Sequence, residues 1–382
     1  MNFLPRSVRT ICIVSLLIAT TVSAYALNTD PPNFSSLYKD HTIALKGGTH
    51  NLVLAEQAGV LAKLSATEYG TTHDNTINLN ISAANHYRNA KENKLAAKYY
   101  DKALALFDEG DKTGREDYLS LLVEILKAKQ VVAFKDIKNI TKQLYQGLEG
   151  YFESTNPEET IYTSLLVYQT IVYQGALSNN GRKILNLGKE ILEVAEKQLK
   201  TEDLSLIKAQ FAHGKLLVAL NRKKDAIAYF TKVIDITESA VDFTHPYALG
   251  AHAQLVGLYE SQNDSESATE HCLAIGSMKP WRNDIKPSPL YRINPLYPVT
   301  YARQSTQGLA IISFDISPFG FVQNAQVMST EGGELFGIEG IRAVNKWRYA
   351  PKFEDGKAVV AKGLKVQLDF AIGNNKRTLK NI

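Results

Sequence analysis

Proline is what the middle of this chain lacks. Between Pro32 and Pro280 only Pro157 and Pro246 occur, and from Leu52 onward the stretch is dominated by Ala, Leu, Lys, Glu and Tyr. Proline blocks helix interiors and these residues favour them, so residues 52–278 are predicted to be mostly helix. Small and aromatic residues also recur in step. Ala84, Tyr87, Ala96, Tyr100 and Ala103 set a spacing that Gly214, Leu217, Ala226, Phe230 and Val233 repeat, and that Val256, Tyr259, Ala268, Cys272 and Ile275 repeat more loosely. From Tyr118 to Leu199 helical periodicity continues with the signature eroded.

Small residues at fixed spacing are what two antiparallel helices need in order to pack closely, and this pattern resembles tetratricopeptide repeats. Each helix pair of such an array exposes apolar surface that only a neighbouring pair covers, which implies a curved solenoid with a concave face. Two uses of that face stay open: peptide or protein binding, and a spacer or dimerisation surface.

The proline scarcity ends abruptly. Pro280, Pro287, Pro289, Pro295 and Pro298 make residues 279–293, and the entry to the C-terminal region, stiff and extended, with Trp281 and Tyr291 suited to packing on a domain. From Leu309 to Ile316 an apolar, β-branched run predicts a strand, and Ser317-Pro318-Phe319-Gly320 turns it into a second extended run, Phe321 to Met328. Gly332 and Gly333 break that strand. Leu335, Ile338, Ile341, Ala343 and Val344 then fall near helical spacing, which predicts one helix across the hairpin, ended at Pro351. After Gly356 the chain alternates, with Leu364, Val366, Leu368 and Phe370 on one face and Lys365, Gln367 and Asp369 on the other, as a half-buried strand does. Trp347 and Tyr349 could offer a stacking platform, but between a helix and a strand they are read as core.

This strand-strand-helix-strand unit, residues 294–374, resembles the C-terminal domain of the TonB family, the periplasmic energy transducers of Gram-negative bacteria. Tyr297-Pro298, Gly308, Asp315 with Gly320, Trp347-Arg348-Tyr349-Ala350-Pro351, Gly356 and Phe370 carry the resemblance, over roughly the last fifth of the chain. It implies that the last strand is an edge pairing with a short segment of an outer-membrane receptor, and that the stretch before Tyr-Pro lies close to that segment. The partner-binding residues so implied are Asn294, Tyr297, Pro298, Leu364, Lys365, Val366, Gln367, Leu368, Asp369 and Phe370. Family transducers place Gln where this chain has Asn294.

At the other end, Arg6 and Arg9 precede an apolar run from Ile11 to about Val22, and Ala24-Tyr25-Ala26 has the form of a signal-peptidase site. Residues 1–26 are expected to be a signal peptide cleaved after Ala26, with an uncleaved inner-membrane anchor as the alternative. Residues 27–51 are expected to be a polar, loosely ordered lead, and residues 375–382 a basic tail. Loss of Arg6 and Arg9 takes the formal charge from +4 to +2, which argues against nucleic acid as a partner. The resemblance implies a motor contact of serine followed four residues later by histidine; here Ser15 is followed by Ala19. Cleavage leaves Cys272 alone, so no internal disulfide is expected.

No motif for an enzyme stands out. His-Glu-x-x-His, Gly-x-Ser-x-Gly and Cys-x-x-Cys are absent, and Gly332 with Gly337 lacks the Lys-Ser/Thr of a phosphate loop. His271 beside Cys272 is a poor metal pair, because adjacent helical residues do not share a face. Arg222-Lys223-Lys224 reads as a solvated turn, since Asp225 follows it. The expectation is a multidomain, non-enzymatic protein without cofactor or metal, an all-α tetratricopeptide-like solenoid followed by a small α+β TonB C-terminal domain. It is expected in the periplasm, with a protein partner, either a TonB-dependent outer-membrane receptor or another envelope protein. Two roles remain: an energy transducer supporting transport across the outer membrane, and a protein-binding scaffold without energy transduction.

Overall fold

The computed structural model describes residues 33–108, 114–128, 134–154, 156–174, 180–240, 245–278, 289–354 and 356–372. The expected leader, the basic tail and residues 279–288 of the proline-rich segment lie outside them. The chain forms two compact units, one ending at Gln198 and one beginning at Leu199.

Among the described residues the first unit is helical, without strands. Its helices are α1 (Phe34–Lys46), α2 (Asn51–Glu68), α3 (Asp74–Asn89), α4 (Asn93–Asp108), α5 (Glu116–Lys127), α6 (Phe134–Ser154), α7 (Pro157–Gln174) and α8 (Gly181–Gln198). Consecutive helices pack against each other as in a tetratricopeptide array. The expected loose lead instead contains α1. The Asn33 side chain caps it by accepting from the Ser36 amide at 2.8 Å, and Phe34 packs with Leu61, Ala62 and Leu79 while Leu37 flanks them. A cap and two apolar residues one turn apart outweighed the polar composition.

The second unit opens with four more helices, α9 (Leu204–Ala219), α10 (Lys223–Ala240), α11 (Pro246–Glu260) and α12 (Ser265–Ser277). The three signature matches share one turn. Lys91, Asn221 and Asn263 all adopt left-handed φ, between 58° and 65°, and the next residue's amide donates to the carbonyl of Tyr87, Leu217 or Tyr259, five positions back. That closure satisfies a carbonyl left over at the end of the first helix and turns the chain into the second. Ala84, Ala96 and Ala103 are fully buried, as are Ala226, Phe230 and Val233, and Val256, Ala268 and Cys272. We expect Ala96→Leu to overpack the α3–α4 crossing and cost about 1–3 kcal/mol in urea unfolding, and Ala96→Ser to cost less. A Leu variant as stable as the parent would place Ala96 away from a helix crossing.

A polar chain ties α10, α11 and α12 together. His252 Nε2 lies 3.0 Å from Glu238 Oε1, and its Nδ1 lies 2.9 Å from His271 Nδ1. Burial, reinforced by His252 and opposed by Glu238, holds the His271 pKa down to about 4 from its ordinary 6.5. The folded state thus favours neutral His271, while the unfolded chain takes up a proton near pH 6.5. This contribution is complete above about pH 6.5 and is lost as pH falls towards 4. Chemical denaturation at stepped pH should show the loss, and His271→Gln should flatten it.

The rest of the second unit is strand-rich. After β1 (Pro289–Tyr291) and a short helix α13 (Val299–Arg303), β2 (Gly308–Ile316) and β3 (Val322–Glu331) form the expected hairpin. Then come α14 (Glu334–Val344), β4 (Arg348–Tyr349), β5 (Lys352–Glu354), β6 (Lys357–Val359) and β7 (Ala361–Phe370). The main sheet is antiparallel in the order β3-β2-β7, while β1 pairs with β4 and β5 with β6. Ile312, Phe314, Ile316, Val344, Trp347 and Tyr349 form its core, so the two aromatics are interior as expected.

Helix α14 lies over the hairpin with a different stripe inward. Leu335 and Ile338 are exposed, and Phe336, Gly337, Gly340, Ala343 and Val344 are buried. Gly337 faces Val327 and Thr330, and Gly340 faces Ile312 and Leu368, each too closely for a β-carbon without displacement. Glycine carries no hydrophobicity signal, so a pattern of large apolar residues rotated the helix away from its true contact.

Candidate functional site

The site predicted at the last strand can be built from its register. β7 pairs with β2 from Gly308↔Phe370 to Phe314↔Leu364 without interruption. Beyond that, the register shifts between Phe314 and Ile316, where Gly363 has φ +73° and donates its amide to Asp315 Oδ1 at 2.8 Å. Asn324 Nδ2 donates to the other carboxylate oxygen at 2.9 Å. The Asn324 contact first, and the Gly363 amide with it, hold the Asp315 pKa below its ordinary value. A fixed bulge thereby ends the irregular part of β7 before Leu364, and the seven residues Leu364 to Phe370 run straight.

The register also shows which amides face outward. Ser317 donates its amide to the Phe321 carbonyl at 2.8 Å, towards β3. Along an extended strand backbone groups alternate sides, so Ser313 and Ile311 also face β3, and Ala310, Ile312 and Phe314 face β7. Their partners Leu368, Val366 and Leu364 point their amides inward. The backbone N–H and C=O of Lys365, Gln367 and Asp369 consequently face away from β2, at an edge where β7 has no other strand partner among the described residues. Their side chains are exposed as well, and Gln367 donates to Asp369 at 2.8 Å.

The other predicted residues divide by role. Phe370 is buried and stacks on Phe336 with ring centroids 4.4 Å apart, and Tyr297 lies edge-on to both. The Tyr297 hydroxyl donates to the Thr306 carbonyl at 2.6 Å. Pro298 is buried at the start of α13, and Leu364, Val366 and Leu368 are half-buried over the core. These residues support the edge rather than line it. Asn294 is exposed on an arm pinned at its base, where Trp347 Nε1 donates to the Ile293 carbonyl at 2.9 Å and Arg292 lies over the indole. Two exposed apolar residues escaped the sequence reading, Leu296 on that arm (75% exposed) and Val299 at the first position of α13 (66%). An apolar residue between two prolines was the available signal.

Among the described residues no three or more His, Cys, Asp or Glu side chains gather as a metal site, and no helix is long and apolar enough to cross a membrane. Arg222, just before α10, pairs with Asp225 in the helix's first turn, and Lys223 and Lys224 already begin that helix rather than lying in the turn.

What the fold and the edge define is a small α+β domain with an open strand, carried on helical repeats. Residues 293–372 match the family described as Gram-negative bacterial TonB protein C-terminal, and the chain carries a domain of that family there. Protein TonB of Klebsiella pneumoniae is 27% identical over 24% of this chain, and Protein TonB of Escherichia coli strain K12 is 34% identical over 17%. Those matches span 38% and 27% of the two relatives, well under half their lengths. Among solved structures, the TonB C-terminal domain of Pseudomonas aeruginosa is 28% identical, with 25% of this chain and 94% of that one covered and a TM-score of 0.22. A protein of nearly identical TPR-like repeats from Podosopora anserina is 13% identical, with 55% of this chain and 96% of that one covered and a TM-score of 0.43.

Proposed function

We propose that this chain is a periplasmic, TonB-like protein that binds an extended segment of an outer-membrane receptor by strand addition, in support of transport across the outer membrane. The observation that carries the reading is the outer edge of β7, where Lys365, Gln367 and Asp369 turn their main-chain groups away from β2. An edge of this kind recruits a strand, main-chain hydrogen bonds supply affinity, and side chains tune selection. The action is binding, without catalysis. The test is a titration of the isotope-labelled chain with peptides from the periplasm-facing segments of TonB-dependent receptors. Amide shifts and slowed exchange at residues 365, 367 and 369 are expected; perturbation confined to the helices would defeat the proposal.

A scaffold without energy transduction is the second reading, and Ala19 four residues after Ser15 favours it, because the family's motor contact has histidine there. Cell fractionation with cross-linking separates the two. Retention in the inner membrane with cross-links to motor proteins supports the transducer, and soluble periplasmic material supports the scaffold.

A further inference from the structure

Arg348 occupies a place that a free-standing sheet domain would not provide. Its side chain is only 2% exposed, and it leaves the domain to enter the last helical hairpin. Nη1 pairs with Glu260 at the end of α11. Nη2 donates to Thr269 Oγ1 of α12 at 2.7 Å and to the Phe319 carbonyl in the β2–β3 turn at 3.0 Å, and the guanidinium lies 3.7 Å from the centre of the Phe321 ring. Nε has no hydrogen-bond partner. A buried guanidinium is tolerable only beside its counter-charge, so this cation holds its domain where Glu260 is.

Neighbouring contacts show the same fit. A β-carbon on Gly276 of α12 would meet the Phe353 ring at 2.7 Å and the Pro351 carbonyl at 2.8 Å, and one on Gly320 would lie 3.3 Å from Cys272 Cβ. Leu290 and Tyr291 of β1 pack on the Val256, Ala268 and Cys272 cluster. The sheet's turn, β1, β4 and β5 all bear on α11 and α12, and β7 lies on the far side of β2 from β3.

We propose that the Arg348–Glu260 clamp locks the TonB-type domain onto the last helical hairpin as one rigid body, so that the repeats present the β7 edge in a fixed orientation. Tension on a strand added to β7 then passes through β2 to the β2–β3 turn and Arg348, and into α11 and α12. That consequence rests on the strand-addition reading. The joint itself does not, and its test uses no partner.

Cys272 is a built-in reporter, being fully buried beneath Gly320 and Arg348. In the full chain carrying Cys12→Ser, a thiol reagent should find Cys272 protected. Removing one partner of a buried pair strands the other charge, so Glu260→Ala should raise the rate of modification at least about tenfold, with helical circular dichroism unchanged. The double variant Glu260→Leu with Arg348→Met replaces the pair by apolar groups and should restore protection. With Cys12→Ser and Cys272→Ala removing the native thiols, spin labels at Glu266→Cys and Gln326→Cys should give one narrow distance distribution in the parent and a broad one in Glu260→Ala. Unchanged thiol protection in Glu260→Ala, or a broad parental distribution, would overturn the lock. If Glu260→Ala loses its helical signal, the double variant decides: protection supports the lock, and rapid modification overturns it.

Discussion

Replacing Gly320 by alanine is expected to destabilise the sheet domain by about 3 kcal/mol or more, where the same change at Gly356 costs about 1 kcal/mol. Both glycines have left-handed φ, +80° and +75°. Both variants therefore carry the strain of a β-carbon in that region. They differ in what the β-carbon meets. At Gly356 there is nothing within 4 Å, whereas at Gly320 it would come within 2.2 Å of the Tyr349 carbonyl oxygen. The backbone has little room to yield there, because Gly320 donates to Ser317 at 3.0 Å and accepts from the Tyr349 amide at 2.9 Å. Hydrogen exchange of the Ile312 and Phe314 amides reads the domain's own opening and separates it from the helices. Equal losses in the two variants would show that strain alone, and not the close approach of β4, makes residue 320 glycine.

Glycine also marks the limit of what was legible in the sequence. Gly308, Gly320 and Gly356 were legible as parts of a familiar pattern, but their reasons are three. Gly308 passes beside the Glu331 carbonyl, Gly320 combines left-handed φ with the contact to Tyr349, and Gly356 needs only its φ. The alternation of β7 was legible because one face is wet, and the repeat signature because small residues at a crossing cannot be large. The inward face of α14 was hidden, since two of its contacts are glycines. The Arg348 clamp was hidden more deeply. A cation between two core aromatics reads as surface until its counter-charge is found, and Glu260 lies 88 positions away in another kind of structure. Pairing of β1 with β4 was missed for a related reason: strands this short, one beginning with proline and one following a helix, carry no period.

Binding through β7 should be abolished by proline at Lys365 or at Gln367 and left nearly unchanged by alanine at either. The two positions share a parity, and the register with β2 turns both amides outward. Proline removes the outward donor and its ring obstructs an arriving strand, while an edge position tolerates its fixed φ. Alanine keeps the donor and removes only an exposed side chain. Val366→Pro is the internal contrast, because its amide faces β2, and this change should damage the sheet itself. Each chain would first be checked by circular dichroism and by exchange at Ile312, then titrated with receptor peptides. Loss of binding in the 365 and 367 proline variants with the fold intact supports main-chain recognition. Binding that survives proline but fails with alanine would move recognition to side chains. A second copy of the chain occupying the edge would show instead as a dimer that the same prolines dissolve, so sedimentation at the titration concentration belongs beside the binding curve.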